Sequence, residues 1–340
     1  MNFVGPGLIG EPPGEGTVTK TLRARKRIAT HESWSFTPST PRSVPHRADT
    51  VSEQGEVDFD GQRRILECHI DQGVDGICIL ANYSEQFSLT DDERRTLMDV
   101  SLEHVAGRVP VIVTVSHFST RIAAMRARQA AEAGASMLML MPPYHGATLR
   151  ADERLIQEHF SAVAEASGLP LMLQDAPISG TPLDVASLVR LAKSVPAVRA
   201  FKIEVANAAG KLRSLIDAGG ESVVEPFDGE ESITLMADLD AGATGTMPSG
   251  LLPDLIAPVV SKHLAGERAA AADAYRAILP LINFENRQCG LRATKAVFKA
   301  GGVIASDYVR HPLVPLHPAT LAGLLELANE VSPLALRWGR

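Results

Sequence analysis

The chain has 340 residues, 45% of them hydrophobic and 21% charged, with a formal net charge of -7. That length supports one sizeable core plus an appendage, and the acidic balance excludes nucleic acid as the main partner, because phosphate neutralisation needs a basic face. Three cysteines without a Cys-x-x-Cys pair exclude a disulfide framework and a zinc site, and no run of about 18 apolar residues is present to span a membrane.

Residues 1–55 read as an irregular, disordered extension. Gly5-Pro6-Gly7-Leu8-Ile9-Gly10 spells the dinucleotide fingerprint, but no strand can precede it and Glu11-Pro12-Pro13-Gly14 cannot open the required helix. Residues 20–47 are rich in Arg, Ser, Thr and Pro, yet interspersed acids and prolines spoil a targeting helix. A cytoplasmic protein is expected.

From Val57 the pattern becomes regular. Strands are expected at 76–80, 109–115, 136–141, 169–173, 198–203, 222–225 and 243–247, with helices at 60–72, 90–105, 119–133, 153–166, 184–193, 208–217 and 232–240. Thr90-Asp91-Asp92-Glu93 is a capping box. Glycines after several helices, as in Ala133-Gly134-Ala135, feed the next strand. Such alternation means parallel strands with crossover helices. One further strand would complete a (β/α)8 TIM barrel over 56–252. It should precede Val57, but 35–50 is full of proline and charge and reads poorly as a buried strand. Residues 253–340 read as helices only, a C-terminal helical extension.

In such a barrel the chemistry collects where strands end. Lys202 lies in Ala200-Phe201-Lys202-Ile203-Glu204. Strand alternation places Lys202 and Glu204 on one face, about 6 to 7 Å apart at 3.3 Å rise per residue. A desolvated lysine beside an acid suits Schiff-base capture of a carbonyl compound; a buried ion pair that only fixes the core is the competing reading. Other strand ends carry Ala81-Asn82-Tyr83-Ser84-Glu85, Pro142-Pro143-Tyr144-His145, Gln174-Asp175, Asp228-Gly229-Glu230-Glu231 and the segment around Thr246. The three acids at 228–231 read as the acidic first turn of a helix. Without a cluster of histidines nearby, no metal or other cofactor is expected.

These positions, over about residues 56–335, resemble the dihydrodipicolinate synthase / N-acetylneuraminate lyase family of class I aldolase-type barrels. The family's Gly-Thr-Thr-Gly-Glu carboxylate-binding turn corresponds to 81–85, its strand-end tyrosine to Tyr144 and its Schiff-base lysine to Lys202. Both turn threonines are replaced, and Ser179 stands where the synthases carry an arginine, which argues against a lysine-biosynthetic condensation. Longer stretches, among them 78–86, 141–148 and 281–288, are similar to the branch that dehydrates 2-keto-3-deoxy-L-arabonate.

The resemblance implies a hydro-lyase acting on a small-molecule 2-keto-3-deoxy sugar acid, converting 2-keto-3-deoxy-L-arabonate to 2,5-dioxopentanoate. Lys202 is expected to attack C2 as a neutral amine whose pKa burial has lowered. Tyr144 would shuttle protons, and Glu204 would take the C3 proton or assist departure of the C4 hydroxyl. Asn82, Tyr83 and Ser84 are expected to hold the substrate carboxylate, with Gly229 and Thr246 as further substrate contacts. Retro-aldol cleavage to pyruvate, or a non-catalytic ligand-binding barrel, are the alternatives. A homo-oligomer, tetramer or dimer, is implied.

Overall fold

The computed structural model describes residues 42–145 and 149–339, with the backbone alone at 42, 144, 145, 149 and 150. The expectation for residues 1–41 lies outside them. In chain order the first elements are β1 (Arg42–Ser43), α1 (Phe59–Asp71), β2 (Ile77–Ile79), α2 (Asp91–Val105), β3 (Val111–Thr114), α3 (Thr120–Ala133) and β4 (Met137–Leu140). A two-strand antiparallel ribbon, β5 (Tyr144–His145) and β6 (Leu149–Arg150), follows. Alternation then resumes with α4 (Glu153–Ser167), β7 (Leu171–Asp175), α5 (Val185–Ser194), β8 (Val198–Ile203), α6 (Ala208–Gly219), β9 (Glu225–Asp228), α7 (Leu235–Asp240) and β10 (Gly245–Thr246). The remainder is helical: α8 (Pro253–Leu264), α9 (Arg268–Phe284), α10 (Arg292–Ala300), α11 (Pro318–Val331) and α12 (Leu334–Arg337).

Eight strands form one parallel sheet in the order β1-β10-β9-β8-β7-β4-β3-β2. Its two ends meet beyond β1. The Arg47 amide donates to the Cys78 carbonyl at 3.0 Å and the Cys78 amide donates to the Pro45 carbonyl at 3.0 Å. The sheet therefore curls back on itself, consistent with the expected (β/α)8 architecture.

Residues 42–55, assigned from sequence to an irregular extension, thus include the missing strand. Only two residues pair regularly, and the charge that argued against burial is neutralised inside. Arg47, with no exposed surface, pairs with Asp49 at 2.5 Å and donates to Ser101 Oγ at 2.6 Å. A buried guanidinium is tolerable when a carboxylate meets its charge in this way. β9 also lies three residues later than expected and runs through Pro226. Its carbonyl still accepts from the Thr244 amide at 2.8 Å, so the ladder to β10 survives the missing N–H.

The strands divide the apolar residues by face. Ile77, Ile79, Val111, Val113, Leu138, Leu140, Leu171, Leu173, Phe201 and Ile203 pack with the helices in one continuous cluster. Between them, Cys78, Ile112, Met139, Met172 and Ala200 are buried on the other face of the sheet. No helix of the described residues is long and apolar enough to cross a membrane.

Candidate active site

Alternation along β8 turns Phe201 and Ile203 toward the helices and leaves Lys202 on the inner face, between Gln174 of β7 and Phe227 of β9. Lys202 is 1% exposed. Its Nζ donates to Glu204 Oε2 at 2.5 Å and to the Gly229 carbonyl at 2.7 Å, and Glu231 Oε1 stands 3.9 Å away. Gln174 Nε2 donates to the same Glu204 oxygen at 2.9 Å, fixing that carboxylate. An ammonium this deeply buried is stable only with matched partners, and these supply them.

The surroundings overturn one expectation. Burial alone would lower the lysine pKa, but Glu204 and Glu231 together outweigh it and hold the value above that of a free lysine. Lys202 is an ammonium at rest and must surrender a proton before it attacks. Glu204 is in hydrogen-bonding contact to receive it.

Residues 229–234 are a turn, not the first turn of a helix; α7 begins only at Leu235. Asp228, fully buried at the end of β9, accepts from the amides of Glu230 (3.3 Å) and Ser232 (3.0 Å) and from Thr246 Oγ1 (2.5 Å). Ser232 Oγ bonds Thr246 Oγ1 at 2.7 Å, and the Tyr275 hydroxyl meets the carbonyls of Ser232 and Ile233 at 2.8 and 2.7 Å. Thr246, expected to touch substrate, spends its hydroxyl on this scaffold. Gly229, also expected as a substrate contact, presents its carbonyl to Lys202. A Cβ there would lie 2.6 Å from the Ile203 carbonyl oxygen, so no larger residue fits without moving the end of β8. Glu231 is buried among acids, and burial, opposed by Lys202 but reinforced by Glu204 and Asp228, pushes its pKa well above the usual carboxylate range.

The turn after β2 is anchored rather than open. Ser84 donates its amide to Ala81 O and its hydroxyl to Arg47 O at 2.5 Å, so neither polar hydrogen is left for a substrate carboxylate. Asn82 Oδ1 accepts from Gln86 Nε2 at 2.7 Å. Tyr83 donates to Asn286 Oδ1 at 3.3 Å; burial first, then Glu231, Glu285 and Glu204, push its phenol pKa up, so Tyr83 stands in the same acidic environment as Lys202. Glu85, at φ 51°, ends the turn and is ion-paired with the buried Lys295, which also donates to the Tyr308 carbonyl at 2.8 Å. Buried His46 faces Tyr83 with ring centroids 6.4 Å apart; burial first, then the Lys202 charge, keep it neutral. Tyr144 opens the β5–β6 ribbon after β4, but its side chain lies outside the described residues.

Lys202 and Glu204 therefore meet as the sequence suggested. Gln174, His46 and Lys295 were given no role from sequence, and Glu231 only that of an acid in the first turn of a helix. The position of Gln174 at a strand end, and of Glu231 after one, were the available signals. A lysine that can pass its proton to a touching carboxylate, in a buried site with a second high-pKa carboxyl, is equipped for imine formation and proton transfer at an adjacent carbon.

Comparison with known proteins agrees with this chemistry. The model of the dihydrodipicolinate synthetase family matches residues 42–330. An L-2-keto-3-deoxyarabonate dehydratase of Azospirillum brasilense is 52% identical over 303 residues, covering 88% of this chain and 98% of that protein. A 4-hydroxy-tetrahydrodipicolinate synthase of Streptomyces coelicolor is 31% identical over 83% of this chain and 93% of its own length. The solved dihydrodipicolinate synthase of Rhodopseudomonas palustris superposes with a TM-score of 0.78 at 24% identity, over 86% of this chain and 98% of that one, a likeness of fold.

Proposed function

We propose, from the premise that this chain belongs to the dihydrodipicolinate synthetase family, that it dehydrates 2-keto-3-deoxy-L-arabonate to 2,5-dioxopentanoate through a lysine Schiff base. The observation that carries the reading is the 52% identity to an L-2-keto-3-deoxyarabonate dehydratase along nearly its whole length. The buried Lys202–Glu204 contact supports it.

In this reading Lys202 passes a proton to Glu204 and its free amine attacks C2. Water leaves, and the iminium that forms acidifies the C3 hydrogens by accepting their electron pair. Glu204 gives the proton it took from Lys202 to the carbinolamine hydroxyl as that leaves as water, and, a carboxylate again and held in place by Gln174, it takes one C3 proton. Tyr144 and Tyr83 are the phenols proposed to assist carbinolamine collapse and to flank the substrate carboxylate, with Asn82 beside them. The C4–oxygen bond then breaks, and hydrolysis with tautomerisation releases the aldehyde. The chain is read as a (β/α)8 barrel with a C-terminal helical extension, cytoplasmic, and assembling as a tetramer or dimer.

The test is a product assay. Purified protein incubated with 2-keto-3-deoxy-L-arabonate should yield 2,5-dioxopentanoate. Pyruvate and glycolaldehyde in its place would mean retro-aldol cleavage and would overturn the dehydratase reading.

A further inference from the structure

Tyr83 has a single hydroxyl hydrogen, and the fold spends it. The phenol donates to Asn286 Oδ1 at 3.3 Å. That amide is not free to turn round, because its Nδ2 donates to the Ile282 carbonyl at 3.0 Å and the reversed form would set two oxygens against each other. We propose that Tyr83, aimed by Asn286, reads the C5 hydroxyl of the substrate by accepting a hydrogen bond from it. The inference rests on the dehydratase reading for its substrate and adds the residue that recognises the far end of the chain.

The backbone on both sides delivers this contact. At the end of α9 the chain widens into a π-turn over Glu285–Cys289, closed by the Gly290 amide on the Glu285 carbonyl, five residues back, at 2.7 Å. Such turns within helices occur frequently at functional sites. Here the turn sends Glu285 inward to Thr294 Oγ1 at 3.4 Å and its neighbour Asn286 to Tyr83. Opposite, the turn after β2 is fixed by Ser84 on the Arg47 carbonyl and by the Glu85–Lys295 ion pair, which leaves the half-buried Tyr83 ring little slack. His46 lies 6.4 Å from that ring, centroid to centroid, and the carboxyls of Glu231 and Glu204 are near enough to act on the phenol. Tyr83 therefore borders the space over Lys202.

With its hydrogen committed, the Tyr83 oxygen offers only lone pairs. Lone pairs repel a carboxylate, so the ring can flank C1 while the oxygen must meet a donor. The substrate has two, its C4 and C5 hydroxyls. A partner that accepts the C4 hydrogen would oppose loss of that oxygen, which has to gain a proton to leave as water. The C5 hydroxyl stays on the chain until the aldehyde forms, three bonds from the carbon that Lys202 holds. Pyruvate carries neither hydroxyl, so Tyr83 separates the sugar acid from a smaller keto acid that forms the same imine.

The experiment compares wild type, Tyr83→Phe, Asn286→Ala and the double variant. It measures kcat/KM for consumption of 2-keto-3-deoxy-L-arabonate, and the concentrations of pyruvate and of 4-hydroxy-2-oxopentanoate that half-saturate inactivation by borohydride. Tyr83→Phe should lower kcat/KM for the sugar acid about 10-fold or more, while half-saturation by the two compounds without a C5 hydroxyl stays within about twofold. Asn286→Ala should lose a comparable part of kcat/KM alone and nothing further beside Tyr83→Phe, as expected of a positioning residue that acts through the phenol. An equal loss with pyruvate would assign Tyr83 to the carboxylate, and an equal loss with 4-hydroxy-2-oxopentanoate would assign it to C4; either overturns the inference. So would additive losses in the double variant or full activity of Tyr83→Phe. Tyr83→Phe removes one oxygen atom and decides the matter by itself should Asn286→Ala fail to fold. Wild type making pyruvate and glycolaldehyde from the sugar acid would sink the dehydratase reading alone, because the three compounds still report which hydroxyl Tyr83 meets.

Discussion

Replacing Lys295 by methionine tests whether buried charge holds the turn after β2. Lys295 and Glu85 have side chains 1% and 4% exposed, and their ion pair joins α10 to the end of the 82–85 turn. Arg47 and Asp49 lie in the same buried network, since Lys295 and Glu85 both act on the Asp49 carboxyl. Methionine matches the length of lysine and leaves no large cavity, so the cost is almost wholly that of an orphaned carboxylate. Breaking one partner of such a pair costs about 3 to 5 kcal/mol. At an unfolding entropy of about 2.1 cal/mol/K per residue, a fold of about 300 residues shifts by about 1.6 °C per kcal/mol, so melting should fall by roughly 5 to 8 °C. The double variant Glu85→Gln/Lys295→Met should recover most of that loss, because no charge is then unmatched. Urea unfolding of the wild type, both singles and the double gives the coupling directly. A Lys295→Met loss below about 1 kcal/mol, or additive losses in the double, would refute the reasoning.

Three further outcomes are expected. Glu285 is buried and its pKa is raised to about 7, chiefly by burial and despite hydrogen bonds from Ser249 and Thr294. An acid whose folded pKa is raised stabilises the fold below its unfolded value of 4.5 and loses that contribution as pH climbs to about 7, on the order of 3 kcal/mol. Glu285→Gln should therefore flatten the fall in stability between those two pH values, read by urea midpoints at several pH values; an unchanged slope contradicts it. Glu204→Gln removes the carboxylate that does most to raise the Lys202 pKa against burial, so the pH profile of borohydride trapping with pyruvate should move to lower pH, while turnover falls. A move to higher pH would reverse the electrostatic assignment. Gly229→Ala puts a methyl against the Ile203 carbonyl and within 3.0 Å of Lys202 Cγ, and kcat should drop about 100-fold through misplacement of the amine. Unaltered kcat would mean that β8 yields at no cost.

Much of this architecture is legible in the sequence because parallel strands buried on both faces give dense apolar runs, and the helices between them carry caps. The match of β8 to its expected bounds, and of the Thr90 box to the observed N-cap, follows from that local chemistry. β1 escapes because it is two residues long and the charges after it, which pair with each other, are buried only by contacts that the fold supplies, such as Arg47 with Ser101. The acids at 228–231 mislead for a physical reason. An aspartate that accepts from amides two and four residues ahead in a turn has the same composition as a helix cap, and only the fold separates them. The charge state of Lys202 was misjudged because the expectation weighed burial alone, whereas Glu204, the largest of the opposing effects, closes to 2.5 Å of Nζ and Glu231 adds to it from a different strand end. Ser84 and Thr246 look like ligand residues by position, yet their hydroxyls are consumed by Arg47 O and Asp228.

The most direct test reduces the protein with borohydride in the presence of 2-keto-3-deoxy-L-arabonate and maps the modified peptide by mass spectrometry. A single stable adduct on Lys202, absent from Lys202→Ala, is the predicted result. Dehydration that proceeds with no adduct, or with the adduct on another lysine, contradicts the account.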